Sequence, residues 1–269
     1  MVVLQEKHGL YDPLELYSRL EPVVAPYVGG EQYRRYYRFR RDRWYGGIIT
    51  GDTVGCNLRC GFCWAYYFTW GGFSKGELYS PLQAVEILTS LARRHGINRI
   101  RLSGGEPTLG FDHLIKVIEL ITSRGYHFIL ETNGVVIGSR EEYARRLASF
   151  HGAGVSVRVS IKGTSPQEFV MLTRAEPRAW GFQLKAIKLL VEYGLEPGEE
   201  VYPAVMLSFT DSKGVERIKR VLRAIHPRLA ESIDPEYVIL YPHVVNLLKT
   251  TGLKPLVAFK PDELPSELI

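Results

Sequence analysis

Short apolar segments alternate with longer amphipathic segments from about residue 46 to residue 243. The apolar segments predict six strands: "YGGIIT" (Tyr45–Thr50), "INRIRLSGG", "YHFILETNG", "VSVRVSIKG", "EEVYPAVMLSF" and "PEYVILYP". Most of them are followed by a segment with helical periodicity. Strands joined by helices lie parallel in one sheet with right-handed connections. The pattern therefore predicts an α/β fold, either an open doubly wound sheet or a partly closed barrel.

Three helices are predicted to begin with a capping box, in which a serine is followed three residues later by Gln or Glu. The pairs are Ser80 with Gln83, Ser139 with Glu142, and Ser165 with Glu168. The alternating region, residues 46–243, is predicted to form one domain. Residues 1–45 are predicted to form an N-terminal extension, and residues 244–269, which are weakly patterned, a short C-terminal tail.

Composition places the chain among ordinary globular proteins. With 45% hydrophobic residues it can bury a core without disulfides. The N-terminal segment lacks the basic and apolar regions of a secretion signal, and no apolar run approaches the roughly 20 residues that cross a bilayer. Clustered thiols in odd number suit a reducing compartment. We therefore expect a soluble, cytoplasmic protein with no membrane partner.

Six arginines are interleaved with aromatic residues in "YRRYYRFRRDRWY", residues 33–45, within a chain of net charge +5. Such a segment can bind nucleic acid through phosphate contacts and base stacking. The alternative is a basic surface whose aromatic side chains pack against the core. One short segment in a mildly basic chain favours this alternative.

The three cysteines of the chain, Cys56, Cys60 and Cys63, lie within eight residues in the spacing C-x3-C-x2-C. Cysteine thiolates bind zinc or iron–sulfur clusters. Three thiolates can hold three irons of a [4Fe–4S] cluster and leave the fourth iron open to a second molecule. Structural zinc would need a fourth ligand, such as His95 or His113. Three buried, unreactive cysteines are a further alternative.

Polar or glycine residues stand at the carboxyl ends of the predicted strands. In chain order these are the cysteines, Gly104–Glu106, Glu131–Asn133, Ser160 with Lys162, Leu207–Ser208, and Tyr241 with His243. The active sites of parallel α/β folds lie at this edge of the sheet. The sequence therefore predicts that these groups share one rim.

The segment "CNLRCGFC" resembles the cluster motif of the radical S-adenosylmethionine (radical SAM) superfamily, in which an aromatic residue such as Phe62 usually precedes the third cysteine. "LSGGEP", Leu102–Pro107, and "LETNG", Leu130–Gly134, resemble two further family motifs in the same order. The resemblance covers residues 45–243. It implies a partial (β/α)6 barrel with parallel strands, a [4Fe–4S] cluster on the three cysteines, and SAM at the open iron.

The resemblance also implies which residues contact SAM. It implies that the amino group of SAM contacts Gly104, Gly105 and Glu106 and that its carboxylate contacts Lys162. The ribose would contact Thr132, Asn133 and Ser160, and the adenine would contact Phe62 and residues 205–207. His243 would lie near SAM. In the superfamily, one electron from the cluster cleaves SAM to methionine and a 5′-deoxyadenosyl radical, which abstracts a hydrogen atom from the substrate. The electron comes from a donor such as a ferredoxin or flavodoxin.

Residues 159–194 and "ILYPHV", Ile239–Val244, resemble segments of glycyl-radical-enzyme activases, which implies a protein substrate with a glycine loop. Ser160 stands where those activases have aspartate, which puts the cation site of that carboxylate in doubt. Two alternatives stay open. Within the superfamily, the substrate is a small molecule or an RNA; outside it, the chain is a non-catalytic iron–sulfur or zinc protein, such as a sensor or electron carrier.

Overall fold

The computed structural model describes residues 6–7 and 9–265. The strands are β1 (Glu6–Lys7), β2 (Leu10–Tyr11), β3 (Tyr27–Val28), β4 (Glu31–Gln32), β5 (Arg34–Asp42), β6 (Ile48–Thr53), β7 (Glu77–Tyr79), β8 (Arg99–Ser103), β9 (His127–Thr132), β10 (Val155–Ile161), β11 (Val201–Met206), β12 (Asp234–Glu236), β13 (Val238–Ile239) and β14 (Ala258–Phe259). Eight of them form one sheet in the order β12-β11-β10-β9-β8-β6-β5-β7.

Helices connect these strands and cover one face of the sheet. They are α1 (Pro13–Val24), α2 (Tyr66–Thr69), α3 (Pro81–His95), α4 (Phe111–Thr122), α5 (Val135–Ser139), α6 (Glu141–Ala148), α7 (Pro166–Thr173), α8 (Arg178–Glu192), α9 (Ser212–Ile225), α10 (Pro227–Glu231) and α11 (Pro242–Thr251). Helix α3 contacts β6 and β8, α4 contacts β9, and α8 contacts β10 and β11. Within the described part of the chain, no helix is long and apolar enough to span a membrane.

Six strands lie side by side in the sheet in their order along the chain, and each adjacent pair is parallel. They are β6, β8, β9, β10, β11 and β12. The mostly parallel sheet confirms the α/β fold and agrees with a partial barrel. Strand β5 pairs with β6 in the antiparallel direction, and β7 pairs with β5. Because β5 covers residues 34–42, the segment predicted as an N-terminal extension supplies a strand of the central sheet.

The C-terminal part of the sheet differs from the prediction. "PEYVILYP" was expected to form one strand, but only β12 joins the sheet, and β13 pairs with β14 instead. The predicted tail also contains most of helix α11 and all of β14. Pro242 stands in the first turn of α11 and Gly252 ends it with a left-handed backbone, two helix signals that the weak apolar pattern obscured.

The capping box predicted for α3 is confirmed: Ser80 Oγ accepts from Gln83 N, and Gln83 Oε1 accepts from Ser80 N. At α7, Ser165 caps the helix, whereas the Glu168 carboxylate accepts from the backbone N–H before the cap. The box predicted at Ser139 is wrong. This residue ends α5, a short helix that follows β9 directly, and α6 begins without a side-chain cap.

Most arginines of the basic segment have partners inside the protein. Arg34 is 1% exposed and donates to two buried backbone carbonyls, including that of Glu106. Arg38 and Arg40 both pair with the buried Asp52 at 2.8 Å. The segment is thus a sheet strand whose basic groups are largely engaged, which favours the packed surface over a nucleic-acid site.

The two faces of the sheet differ in chemistry. In β10, Val155, Val157, Val159 and Ile161 belong to the apolar core beneath the helices, whereas Ser156, Arg158 and Ser160 make polar contacts on the opposite side. Strand β8 alternates in the same way, and β9 does so except at Ile129, an apolar residue on the polar side. We call the polar side the inner face. Parallel strands covered on both sides usually read as continuous apolar runs, so the alternation marks one side as available for polar contacts.

His113 lies in α4 and is buried. Its Nδ1 is 3.1 Å from Gln32 O and its Nε2 is 2.9 Å from Tyr36 Oη. Because a carbonyl only accepts, Nδ1 carries the proton and Nε2 accepts from the tyrosine. Burial lowers the pKa of His113 to about 3. The ring is therefore neutral in the folded protein at any ordinary pH.

We expect acid to destabilise the fold through His113. Below about pH 6.5 the histidine of the unfolded chain binds a proton, whereas the buried ring of the folded protein stays neutral. The free energy of unfolding therefore falls by up to about 1.4 kcal/mol per pH unit until near pH 3. Urea unfolding at a series of pH values measures this slope. Lowered pKa values of His127 and of carboxyls such as Glu236 add to the acid slope, so the variant His113→Gln should have a shallower slope than wild type, and His95→Gln, at an exposed position, should keep the wild-type slope; equal slopes for both variants would contradict the assignment.

Candidate active site

The three cysteines lie in the loop that follows β6, at the carboxyl end of that strand. Cys60 is 8% exposed, and Cys56 and Cys63 are half-buried. Leu58 N donates to Cys56 Sγ at 3.3 Å, and Cys63 N donates to Cys60 O at 3.0 Å. The thiols lie close enough to raise one another's pKa. The three cysteines, which are close together in the sequence, are thus also close together in space.

Neighbouring elements hold this cysteine loop from outside. Gly61 N donates to Leu172 O at 2.9 Å, and Thr251 Oγ1 donates to Gly61 O at 3.1 Å. Arg59 N donates to the Tyr11 hydroxyl at 2.7 Å. The loop is therefore fixed by β2, α7 and α11, which are separated widely in the sequence.

Burial raises the pKa of all three thiols, that of Cys56 to about 12. A buried thiolate needs a cation beside it, and the irons of an iron–sulfur cluster meet that need. Zinc with a histidine is not supported, because His113 is engaged in α4 and His95 lies at the exposed end of α3. No three His, Cys, Asp or Glu side chains in the described ranges converge as the ligands of a single metal ion would.

The loop after β8 packs directly against the start of the cysteine loop. A side chain at Gly105 would place its Cβ 2.2 Å from Gly55 O, and Glu106 N donates to that oxygen at 2.8 Å. Gly104 has a φ of +82°, and a Cβ there would lie 2.9 Å from the Tyr37 hydroxyl. The resemblance assigns these glycines to the amino group of SAM, and that contact stays a prediction. The structure uses the room at Gly105 for contact between two loops.

Glu106 is 2% exposed and its carboxylate is saturated by protein donors. It accepts from Thr108 N at 3.1 Å, Thr108 Oγ1 at 2.8 Å, Thr132 Oγ1 at 2.7 Å and Asn133 N at 2.8 Å. These bonds join the carboxyl ends of β8 and β9. A contact of Glu106 or Thr132 with SAM stays a prediction, and the observed role of both side chains is to hold the rim together.

Asn133 lies beside the cysteine loop. Its Nδ2 is 3.7 Å from Cys56 Sγ and donates to Asn57 Oδ1 at 2.7 Å. The Asn57 Nδ2 is buried and has no partner among the described residues. An orphaned donor on the residue that follows Cys56 fits a bound group with acceptor atoms, such as the sulfides of a cluster.

Ser160 and Lys162 meet an acidic residue that the sequence analysis did not single out. Ser160 Oγ donates to Glu236 Oε1 at 2.5 Å, and Lys162 Nζ donates to Glu236 Oε2 at 2.9 Å and to Ser160 Oγ. Burial opposes the ionisation of Glu236, but Lys162 and Arg158 outweigh it and lower the pKa of this carboxyl to about 2. The predicted contact of Lys162 with the carboxylate of SAM stays a prediction, because its charge already has a protein partner.

The other predicted residues lie around this rim. Phe62 is 8% exposed, with its ring centroid 5.5 Å from that of Phe209. Val205 belongs to the core beneath the helices, so it does not line the inner face. His243 lies in the first turn of α11 rather than after a sheet strand, and its Nε2 is 2.8 Å from Trp64 O. It therefore contacts the cysteine loop, and its role near SAM stays a prediction.

A parallel sheet with three clustered cysteines at its carboxyl edge is typical of an α/β enzyme that binds an iron–sulfur cluster. The family model of the radical SAM superfamily matches residues 52–224. The chain is 37% identical over 96 residues to 7-carboxy-7-deazaguanine synthase of Rhodopirellula baltica, which covers 34% of this chain and 35% of that protein. It is 32% identical over 148 residues to a probable GTP 3′,8-cyclase of Methanothermobacter thermautotrophicus, covering 54% and 44%.

Solved structures show the same fold at low identity. Streptococcus suis SuiB bound to S-adenosylmethionine matches with a TM-score of 0.52 at 16% identity, over 79% of this chain and 46% of that one. A spore photoproduct lyase variant with bound AdoMet and dinucleoside spore photoproduct matches with a TM-score of 0.55 at 15% identity, over 83% and 66%. The chain spans less than half the length of the two curated relatives above.

The chain belongs to the radical SAM superfamily. It is an enzyme that uses a [4Fe–4S] cluster and SAM, and the buried thiols with the orphaned Asn57 amide fit the cluster. The expected likeness to glycyl-radical-enzyme activases is not supported, because the two relatives described above are named as a synthase and a probable cyclase of small molecules.

We expect the anaerobically reconstituted protein to bind one [4Fe–4S] cluster, and Cys60→Ala to lose it, because Cys60 is one of only three thiolates available. Iron and sulfide analysis with visible absorption measures cluster content. Thr250→Ala, at an exposed position in α11, is the control and should bind the cluster normally. Stoichiometric zinc without labile sulfide in protein purified anaerobically would refute the assignment.

We expect Glu106→Gln to lower the thermal midpoint of the apoprotein. All four partners of the carboxylate are donors, so an amide nitrogen at this position faces donors only, at a cost of about 1.5–3 kcal/mol. Calorimetry without cluster or SAM isolates this effect. The control Glu119→Gln removes an exposed carboxylate paired with Lys116 and should change stability by less than about 1 kcal/mol. An unchanged midpoint for Glu106→Gln would exclude the joining role.

Proposed function

We propose that this radical SAM enzyme acts on a small polar molecule bound against the inner face of the sheet. The observation that carries the proposal is a ladder of ion pairs across that face. Its cations are Arg38, Arg40, Arg101, Arg158 and Lys162, and its carboxylates are Asp42, Asp52, Glu131, Asp234 and Glu236.

Arg101 illustrates how closely the ladder is connected. Its NH1 pairs with Glu131 at 2.7 Å, its NH2 pairs with Asp42 at 2.7 Å, and its Nε donates to Thr50 Oγ1 at 3.0 Å. The Tyr45 hydroxyl also donates to Glu131, at 2.7 Å. Each charge on this face is therefore held in a fixed direction by its neighbours.

Such a ladder is costly if it serves stability alone. Removing charges from water carries a desolvation penalty that ion pairing often only balances, and apolar residues of similar size would pack the face as well or better. Binding a polar ligand gives a reason to retain it. Because cations and carboxylates alternate, the face suits a ligand that carries both donors and acceptors, such as a heterocycle with amide and amine groups.

The relatives support a small molecule. Their names place GTP and 7-carboxy-7-deazaguanine among the compounds that they use or make, and both compounds contain a guanine-like ring with donors and acceptors. A "Probable dual-specificity RNA methyltransferase RlmN" of Symbiobacterium thermophilum is also similar, with 26% identity over 204 residues. The basic strand β5 offers no support for RNA, because its arginines are largely paired within the protein.

When bound, the cluster and SAM supply a 5′-deoxyadenosyl radical that abstracts a hydrogen atom. The chain supplies position and charge. Lys162 lies close enough to Cys60 and Cys63 to lower the pKa of both thiols against the effect of burial, and Glu236 links it to Arg158. The rim and the inner face are thus joined in one charged network, and a ligand held by the ladder lies next to the cluster rim.

The proposal is tested by measuring SAM cleavage without a substrate (uncoupled) and with a candidate substrate (coupled). Under dithionite we expect reconstituted protein to form 5′-deoxyadenosine slowly, and a guanine-type compound, tested as GTP, guanosine and guanine, to increase the rate. Deuterium at the reacting carbon of an active compound should appear in 5′-deoxyadenosine. Glu131→Gln should lower the increase about ten- to a hundredfold, as expected for a lost hydrogen bond to a charged group.

Glu192→Gln is the matched control, since this carboxylate is exposed on α8; its coupled rate should equal that of wild type. A rate increase with an RNA or a protein, and none with any small polar compound, would refute the substrate class while leaving the radical chemistry intact. Binding of the cluster and SAM without any cleavage under strong reductant would refute the enzymatic reading itself.

A further inference from the structure

A groove of about 650 Å³ lies on the outside of the cysteine loop, between the ends of α7 and α11. Its walls include Met171 and Arg174 from the end of α7, Phe209, and Leu253, Lys254 and Leu256 after α11. We propose that this α7–α11 groove docks the electron donor, a small acidic protein that carries one electron. The inference rests on the proposed function, because only a cluster that must be reduced needs such a partner.

Position is the first argument. The wall of the groove is in direct contact with Gly61, the residue next to Cys60. A Cβ at Gly61 would lie 2.7 Å from Leu253 Cδ1 and 3.0 Å from Thr251 Oγ1, and Gly61 N bonds to Leu172 O beside Met171. The glycine thus brings the outer wall as close to the cysteine loop as packing allows. A protein seated in the groove is separated from the cluster by little more than this loop.

The chemistry of the surface is the second argument. Leu256 is 66% exposed, Met171 47% and the adjacent Val257 43%, so three of the nine large apolar residues that are exposed in the described chain lie here. Arg174 and Lys254 are exposed beside them, and among the described residues that line the groove none carries a carboxylate. An apolar centre with a cationic border suits a partner with an apolar patch bordered by acids.

Electron carriers fit this surface in size and in kinetics. Complexes of redox proteins bury small areas, typically below about 1,200 Å², and charge complementarity speeds their encounter. In the transfer, one electron leaves the reduced carrier, which is oxidised, and enters the cluster, which is reduced. No bond forms or breaks. SAM held at the rim of the sheet would lie on the other side of the loop, so the donor and SAM would approach the cluster from different sides.

The test compares two reductants on the anaerobic holoprotein. Lys249, exposed in the last turn of α11, adds a cation next to the groove. We expect the double variant Lys249→Glu, Lys254→Glu to slow cluster reduction by reduced flavodoxin about tenfold or more at low salt, followed as bleaching of visible absorption. The difference should shrink as salt increases. Reduction by dithionite should be unchanged.

Lys185→Glu, an exposed charge reversal on α8 outside the groove, is the matched control and should leave both rates unchanged. Carbodiimide should also cross-link Lys249 or Lys254 to carboxylates of the flavodoxin, as identified by mass spectrometry. Equal flavodoxin rates for wild type and the double variant, or cross-links between two copies of this chain in place of the donor, would overturn the docking site. In either case SAM cleavage under dithionite would show that the proposed function itself still stands.

Discussion

The carboxylate of Glu106 is the interaction on which the geometry of the site depends. Two of its four bonds reach the carboxyl end of β9, at Thr132 and Asn133, while its backbone N–H reaches the cysteine loop through Gly55. Arg34, fully buried, donates to its carbonyl from below. Three chain segments that are far apart in sequence therefore meet at one residue. The position of Cys56 relative to Asn133 follows from that junction.

The charged inner face shows how one sheet serves two purposes. The side toward the helices is apolar and supplies the free energy that holds the fold together. The opposite side carries paired charges, the polar surface to which we assign the substrate in our proposal. The same strands thus present an apolar and a polar surface, because successive side chains point to opposite faces.

Local patterns predicted much of this arrangement. The cysteine spacing, the motif "GGEP" and the strand ends all pointed to the same edge of the sheet, since each is a short-range feature of the chain.

Glu236 was missed because its role depends on contact with Lys162, 74 residues earlier, and nothing in the sequence around it distinguishes it from a surface acid. The loop contact at Gly105 was missed for a related reason: the sequence shows the missing side chain there but not the carbonyl of Gly55 that fills the space. The helix in the C-terminal tail was missed because only its ends, Pro242 and Gly252, carry a clear signal.

The sheet ends on both sides in a strand of three residues, β7 at one edge and β12 at the other. An edge strand exposes unpaired backbone groups that can pair with another molecule, and the risk grows with its length. Strand β10 lies inside the sheet with both edges paired, whereas the longest strand, β5, pairs with β7 only over Arg34–Tyr36 and, among the described strands, has none beside residues 37–42 on that side. The longest open stretch of edge therefore belongs to β5. Arg38, Arg40 and Arg41 lie in this stretch, and charged side chains on an open edge disfavour pairing with another chain, a property that owes nothing to the cluster chemistry.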